Sequence, residues 1–411
     1  MNTAINTKKS SSKYFYLTAF CVYINYFVHG MGASILAQNS SSLQSLWHTD
    51  AAAVLYVISA LGIGRFIALP FSGVMSDKLG RKKTILVGVA FYIAFFGGIL
   101  IAPNAQIGFI VALLAGVANS FLDSGCIPAV MEILTESTGF ASILTKLFIS
   151  VGQYALPLII GFLVGNNMYF GYSFILCIAI LVINSLFLLK MPFPQMEGTK
   201  KYSKKEEVEV KETVKSNFFI EGIALIAIGF TSTATFQIFL NVNKTFGIDV
   251  VGMSEVAAGK IQSNYALGSI CAVLLTAVLV KKLIKPARFL FIYPLISLAT
   301  LIAMFMLRTE AICTMGGFVI GFSAAGGVLQ LAVSTMSDLF PVSKGKITSM
   351  VMMSSSIATF SVTAIAGFVT QSMGTEYTLL LAAIVTAVGV LLSIVVNIRY
   401  NQLSRLKAKL K

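Results

Sequence analysis

Apolar residues in this chain come in long runs separated by short polar breaks. The runs lie near 14–37, 51–76, 84–102, 107–134, 143–165, 169–189, 218–241, 256–280, 287–307, 311–336, 346–371 and 377–398. Each matches the roughly 20 apolar residues that a helix needs to cross a bilayer's hydrocarbon core. The pattern predicts an all-α polytopic membrane protein with twelve transmembrane helices.

The polar breaks carry a second pattern. Residues 51–75 hold one charge, Arg65, and residues 84–111 hold none, yet the break between them contains Asp77, Lys78, Arg81, Lys82 and Lys83. Lys and Arg accumulate on cytoplasmic loops. With that break inside, 26 of the 30 Lys and Arg fall on the same side, in alternate breaks and both terminal segments. Lys244 and Arg308 fall on the opposite side, while Arg65 and Lys260 lie within spans. The expectation is a multi-pass protein of the plasma (inner) membrane with both termini cytoplasmic. One long polar segment, with Lys200, Lys201, Lys204, Lys205, Glu206 and Glu212, divides the chain. It predicts a cytoplasmic tail 1–13, a six-helix bundle 14–189, a charged linker 190–217, a second six-helix bundle 218–398 and a basic tail 399–411. A solvated connector explains the linker's charges.

Composition agrees: 57% of residues are hydrophobic and 11% charged, with a mean hydropathy of +0.86. The net charge of +14 is split into clusters between apolar runs. It therefore points to topology and anionic lipid head groups rather than to nucleic acid. Cys21, Cys126, Cys177, Cys271 and Cys313 all fall in apolar runs without CxxC spacing, so neither a disulfide framework nor a metal site is expected. Residues 1–13 lack an apolar h-region, and no cleaved signal peptide is expected. No Walker motif, GxGxxG or HExxH occurs, so an ATP-driven pump, a metalloenzyme and a resident cofactor gain no support. No catalytic constellation suggests an enzyme of any other kind.

The halves carry a degenerate repeat, as many secondary transporters do. The break around Lys281, Lys282 and Lys285 aligns with the one at 73–83, with Lys281 in place of Asp77 and Ile284 in place of Gly80. The run from Gly321 to Gln330 likewise echoes that from Gly116 to Gly125.

Gly73-x-x-x-Asp77-x-x-Gly80-Arg81-Lys82 resembles the signature loop between helices 2 and 3 of the major facilitator superfamily. A closer similarity is to inner-membrane transporters of the YdiM/YdiN type. Asn25-Tyr-Phe-Val-His29-Gly-Met-Gly32, Asn119-Ser-Phe-Leu-Asp123, the run from Lys146 to Gln153 and that from Gly321 to Gln330 carry it. The resemblance implies two pseudo-symmetric bundles rocking around a midplane site, driven by an ion gradient. It implies a cytoplasmic gate made by Gly73, Asp77, Gly80 and Arg81, and it raises shikimate- or quinate-like acids as substrates. Lys82 and Lys83 are read as plain topological anchors.

Ionisable groups at bilayer depth face a wet cavity or a partner. Asp123 sits mid-span with Gly116 and Asn119 on its helical face. It is either a proton carrier or a permanent partner of Arg65. Arg65 either clamps a substrate carboxylate with its planar fork or neutralises Asp123. His29, on one face with Asn25 and Tyr26, either relays protons or is a neutral histidine bonded across helices. Lys146, Ser150, Gln153 and Pro157 form one stripe, in which Gln153 is the better binding candidate because Lys146 lies near enough to the cytoplasm to snorkel. In the second half Lys260, Asn264 and Gly268 form an i, i+4, i+8 stripe, expected beside Gln237, Asn241 and Gln330. That group would suit a small polar anion, unless Lys260 snorkels to the outer surface.

The leading expectation is proton-coupled symport of a small organic anion by a working monomer in the bilayer, needing only a proton gradient. Arg65 or Lys260 would hold the carboxylate and Asp123 the proton. A drug/proton antiporter is the alternative. Drug antiporters of this superfamily typically carry Gly before Pro in helix 5, where this chain has Leu156-Pro157.

Overall fold

The computed structural model describes residues 2–134, 138–193, 217–282, 286–340 and 344–409. Most of the expected linker lies outside the described residues. Among those described, the chain is helical throughout. In hydrocarbon every backbone N–H and C=O must be bonded internally, which a helix achieves within one segment.

The first half comprises α1 (Asn2–Gln38), a short α2 (Ser40–Trp47), α3 (Ala51–Leu79), α4 (Arg81–Ile101), α5 (Ala105–Ile133), α6 (Thr138–Gly165) and α7 (Tyr172–Lys190). The second comprises α8 (Ile223–Asp249) with a π-helical turn before it, α9 (Glu255–Lys282), α10 (Pro286–Leu307), α11 (Glu310–Ile320), α12 (Val328–Leu339), α13 (Lys344–Ser372) and α14 (Thr375–Lys409). Eleven helices among the described residues are long and apolar enough to cross a membrane, with α11 and α12 counted as one. The twelfth crossing segment, α9, is diluted by Lys260, Gln262, Ser263 and Asn264. Large side chains such as Phe71, Ile101 and Phe162 stand exposed on the outside, as lipid-facing residues do.

Helix ends follow local chemistry. Asp50, Asn104 and Thr309 each cap a helix by accepting from the backbone N–H three residues on, which satisfies donors left orphaned in the first turn. Gly80 joins α3 to α4 at φ +89°, a conformation that favours glycine.

Three boundaries differ from the sequence expectation. Helix α1 begins at Asn2, ahead of the apolar run. The run Asn241-Val-Asn243-Lys244 reads as the end of a span, yet α8 continues to Asp249 and buries all of these residues within the protein. The expected span at 311–336 is two helices. A π-helical turn at Gly321–Ala325 and Gly327 at φ +121° separate α11 from α12.

The halves pack through α3 on α13, α6 on α9 and α1 on α8. Their contact runs from mid-depth to the face opposite the termini, here the far face. A Cβ at Gly62 would lie 2.5 Å from the backbone nitrogen of Phe360, and Gly367 meets Ala52 and Tyr56. Ser150 donates to Ser269 (3.3 Å) and Ser263 to the Tyr154 carbonyl (3.2 Å). At the far end the Lys244 ammonium donates to the Gln38 carbonyl across the halves (2.5 Å) and to Glu255 Oε1 in its own half (2.7 Å). Lys244 is thus a buried bridge, 3% exposed, rather than the loop cation its surroundings suggest. Among the described residues no ion pair joins the two halves at the face bearing the termini.

Candidate functional site

The site begins with a close helix crossing. A Cβ at Gly116 would lie 2.0 Å from the Leu61 carbonyl oxygen and 2.5 Å from the Arg65 nitrogen, and one at Gly64 would lie 2.1 Å from the Leu113 oxygen. Only glycine lets these backbones touch. Ser120 fastens the crossing by donating to the Arg65 carbonyl (2.9 Å). Two turns along α5 from Gly116, Asp123 meets Arg65, with Nη2 donating to Oδ2 at 3.0 Å. Both partners keep about a quarter of the side chain exposed, 27% and 23%. Neither side chain is therefore sealed inside packed protein. Arg65 Nε is buried and has no partner.

Helix α1 brings Tyr26, whose hydroxyl donates to Asp123 Oδ1 at 3.2 Å. One turn on, His29 Nδ1 lies 3.0 Å from the Tyr92 hydroxyl of α4, and that hydroxyl donates to Asn119 Oδ1 of α5. A tyrosine has one hydroxyl hydrogen. With it given to Asn119, the Tyr92 oxygen accepts from His29 Nδ1–H, which leaves Nε2 of a neutral ring as an acceptor. Tyr92 stacks on Phe96 with ring centroids 5.5 Å apart. It was not among the expected residues, because a tyrosine inside an apolar run reads as one more packing aromatic.

Asp123, Arg65, Tyr26, His29 and Asn119 thus come together with Tyr92 as one cluster on α1, α3, α4 and α5. Asn25 does not join it. Fully buried, it accepts from Asn184 Nδ2 (2.9 Å) and binds α1 to α7. Gln153 is buried on α6 and makes no hydrogen bond.

The second-half group is dispersed. Asn264 donates to the Thr314 carbonyl (3.1 Å) and Gly268 backs onto Phe318, so their stripe packs on α11. Asn241 donates to Thr363 on α13 (3.3 Å). Lys260 and Gln330 are exposed and Gln237 is half-buried, none with a hydrogen bond. Sharing a helical face does not decide which neighbour that face meets, which is why the expected group fails to assemble.

At the terminal face Arg81 gathers three helices. It donates to Asp77 Oδ1 (2.8 Å) and Ser76 Oγ (2.7 Å) of α3 and to Glu132 Oε1 (3.1 Å) of α5. Ser76 in turn donates to the Ser124 carbonyl (2.7 Å), next to Asp123. Gly73 has open space beside it and Gly80 supplies the turn. Lys82, expected as a plain anchor, donates to the carbonyls of Leu189 (2.7 Å) and Met191 (3.1 Å). A cation there satisfies the orphan carbonyls at the C-terminal end of α7.

The family model described as Major Facilitator Superfamily matches residues 16–360. The chain belongs to the Major Facilitator Superfamily. It is 38% identical over 395 residues to the inner membrane transport protein YdiM of Escherichia coli (strain K12), covering 95% of this chain and 96% of YdiM. To YdiN of the same organism, also named an inner membrane transport protein, it is 36% identical over 397 residues, covering 96% and 93% of the two chains. The crystal structure of a D-xylose-proton symporter superposes with a TM-score of 0.73, covering 93% of this chain and 97% of that one at 14% identity. That likeness shows the fold. This superfamily member is a membrane transporter, not an enzyme.

Proposed function

We propose that the protein is a secondary active transporter that couples uptake of a small organic anion to proton entry. The observation that carries this reading is the Arg65–Asp123 pair, at 3.0 Å and a quarter exposed. The pair is neutral, and a substrate carboxylate that takes Arg65's fork competes with Asp123 for it and displaces it. The displaced carboxylate, at a depth where charge is costly, then takes a proton. Substrate and proton load together, and the site's net charge does not change. Against a negative-inside potential each uncompensated charge would cost about 2.3 kcal/mol per 100 mV, so this coupling favours entry. Tyr26 holds Asp123 in place, and His29 connects it to Tyr92 and Asn119.

Segregation of 26 of the 30 cations supports a cytoplasmic position for the termini. With the far face sealed at Lys244, the described state opens inward, and Asp77 and Arg81 would lock the cytoplasmic face in the opposite state. The working unit is a monomer of bundles 14–189 and 218–398. Acids of the shikimate or quinate kind suit an arginine fork beside amide and hydroxyl groups. Lys260 stands apart from the pair and drops out of the binding step.

The test is flux into proteoliposomes under an imposed pH gradient, with a panel of organic acids. Asp123→Asn should abolish gradient-driven accumulation. Full accumulation by that variant would overturn the coupling. Energised extrusion of lipophilic cations without uptake of any acid would replace it with drug antiport.

A further inference from the structure

Arg65, Lys146, Lys244 and Lys260 are cations set inside membrane-crossing helices. Arg65 is held by Asp123 and Lys244 by Glu255, and Lys260 is exposed. Lys146 differs from all of these. It is half-buried and, among the described residues, has neither an ion pair nor a hydrogen bond.

Its place is defined by the packing of α6. A Cβ at Gly152 would lie 2.0 Å from the Phe27 oxygen, and one at Gly30 would lie 2.0 Å from the Ile149 oxygen. The α6 segment around Lys146 therefore lies against the stretch of α1 that bears Tyr26 and His29. At 1.5 Å per residue, Lys146 stands about 12 Å from the first residue of α6, and Asp123 about 15 Å from the last residue of α5. The two are at similar depth below the terminal face. One turn beyond Lys146, Ser150 meets Ser269 of the second half. Its stripe therefore faces the seam between the halves, at the level where they part. Gln153, further along the stripe, makes no hydrogen bond.

Charge counting then singles out an anion. Arg65 and Asp123 cancel, which leaves Lys146 as an uncompensated positive charge at bilayer depth, where an unpaired ion is costly. We infer that Lys146 is an anion-binding residue of the inward-facing vestibule. It receives the carboxylate of an organic acid while Arg65 remains with Asp123, and Gln153 bonds a neighbouring polar group of the same molecule. The anion's identity as an organic acid rests on the proposed transport reading; the charge presented by Lys146 does not.

Two measurements on the full-length protein separate these statements. The first places a cysteine at Gln153 and compares its reaction rates with an anionic sulfonatoethyl and a cationic trimethylammonioethyl methanethiosulfonate, using protein without that cysteine as the blank. The anionic reagent should be preferred, and Lys146→Gln should reduce the preference about tenfold, as expected for one charge at close range in a partly wet site. A preference unchanged by Lys146→Gln, or a cysteine that neither reagent reaches, overturns the assignment whatever the protein transports. The second measures binding of organic acids and their neutral amides. Lys146→Gln should weaken acid binding about tenfold or more and leave amide binding unchanged, while Lys146→Arg should retain acid binding. Unaltered acid affinity in Lys146→Gln overturns the assignment. If no acid binds the wild type although the reagent preference holds, the organic-acid reading falls and Lys146 stands as an anion site.

Discussion

Replacing Glu255 by Gln should open the far face. Lys244 is 3% exposed, and its ammonium is held by Glu255 from its own half and by the Gln38 carbonyl from the other. Both bonds form while the halves are closed there, whereas opening would give Lys244 water. Without Glu255 the closed state retains a buried cation on a single neutral carbonyl. Breaking a buried pair this way costs about 3–5 kcal/mol. Because Glu255 is 30% exposed, water screens part of that, and about 1–3 kcal/mol remains. A difference of that size shifts the closed-to-open ratio about 5- to 150-fold. Spin labels at Ser45 on α2 and Ser254 before α9, both exposed, report the separation of the far ends by double electron–electron resonance in liposomes. The wild type should show one dominant short distance, and Glu255→Gln a substantial longer population. The double variant Lys244→Met/Glu255→Gln, with an apolar side chain in place of the charge, should return to the short distance. A single variant with wild-type distances, or a double variant as open as the single, would refute the lock.

Gly116→Val should splay α3 from α5, because the new side chain meets the Leu61 oxygen and the Arg65 nitrogen. Overpacking of this kind costs about 1–3 kcal/mol, read as a lower midpoint of thermal unfolding in detergent, and the same variant should lose gradient-driven accumulation as Arg65 and Asp123 separate. Tyr92→Phe keeps the stack on Phe96 but strands the Asn119 oxygen. It should destabilise by about 1–3 kcal/mol, and a midpoint unchanged from wild type would show that the hydroxyl bonds contribute nothing to stability.

Much of this architecture is legible in the sequence because bilayer crossing leaves a strong periodic signature in hydropathy and charge. Arg65 and Asp123 stand out for the same reason, as charges where charge is expensive, and the structure brings them to 3.0 Å of each other. Other features leave no such trace. Lys244 sits in a polar run that looks like the end of a span, and only the packing of α1 against α8 shows that it is buried. Tyr92 is polar at one atom, so hydropathy cannot separate it from a packing ring. Asn25 shares a turn with Tyr26 and His29, but a few tens of degrees around α1 direct it to α7 instead. The glycines of the α3–α5 crossing look like any others in a membrane helix until the facing backbone is known.

The Tyr92 hydroxyl has one hydrogen and two acceptors within reach, which makes its two bonds mutually exclusive in direction. While it donates to Asn119, His29 must carry its proton on Nδ1. If that proton moves to Nε2, the hydroxyl must turn to His29 and release Asn119. A tautomer change on α1 is thereby written into the bonding of α5, one turn from Asp123. The two helices hold a shared record of where a single proton lies, with no charge moved and no backbone displaced.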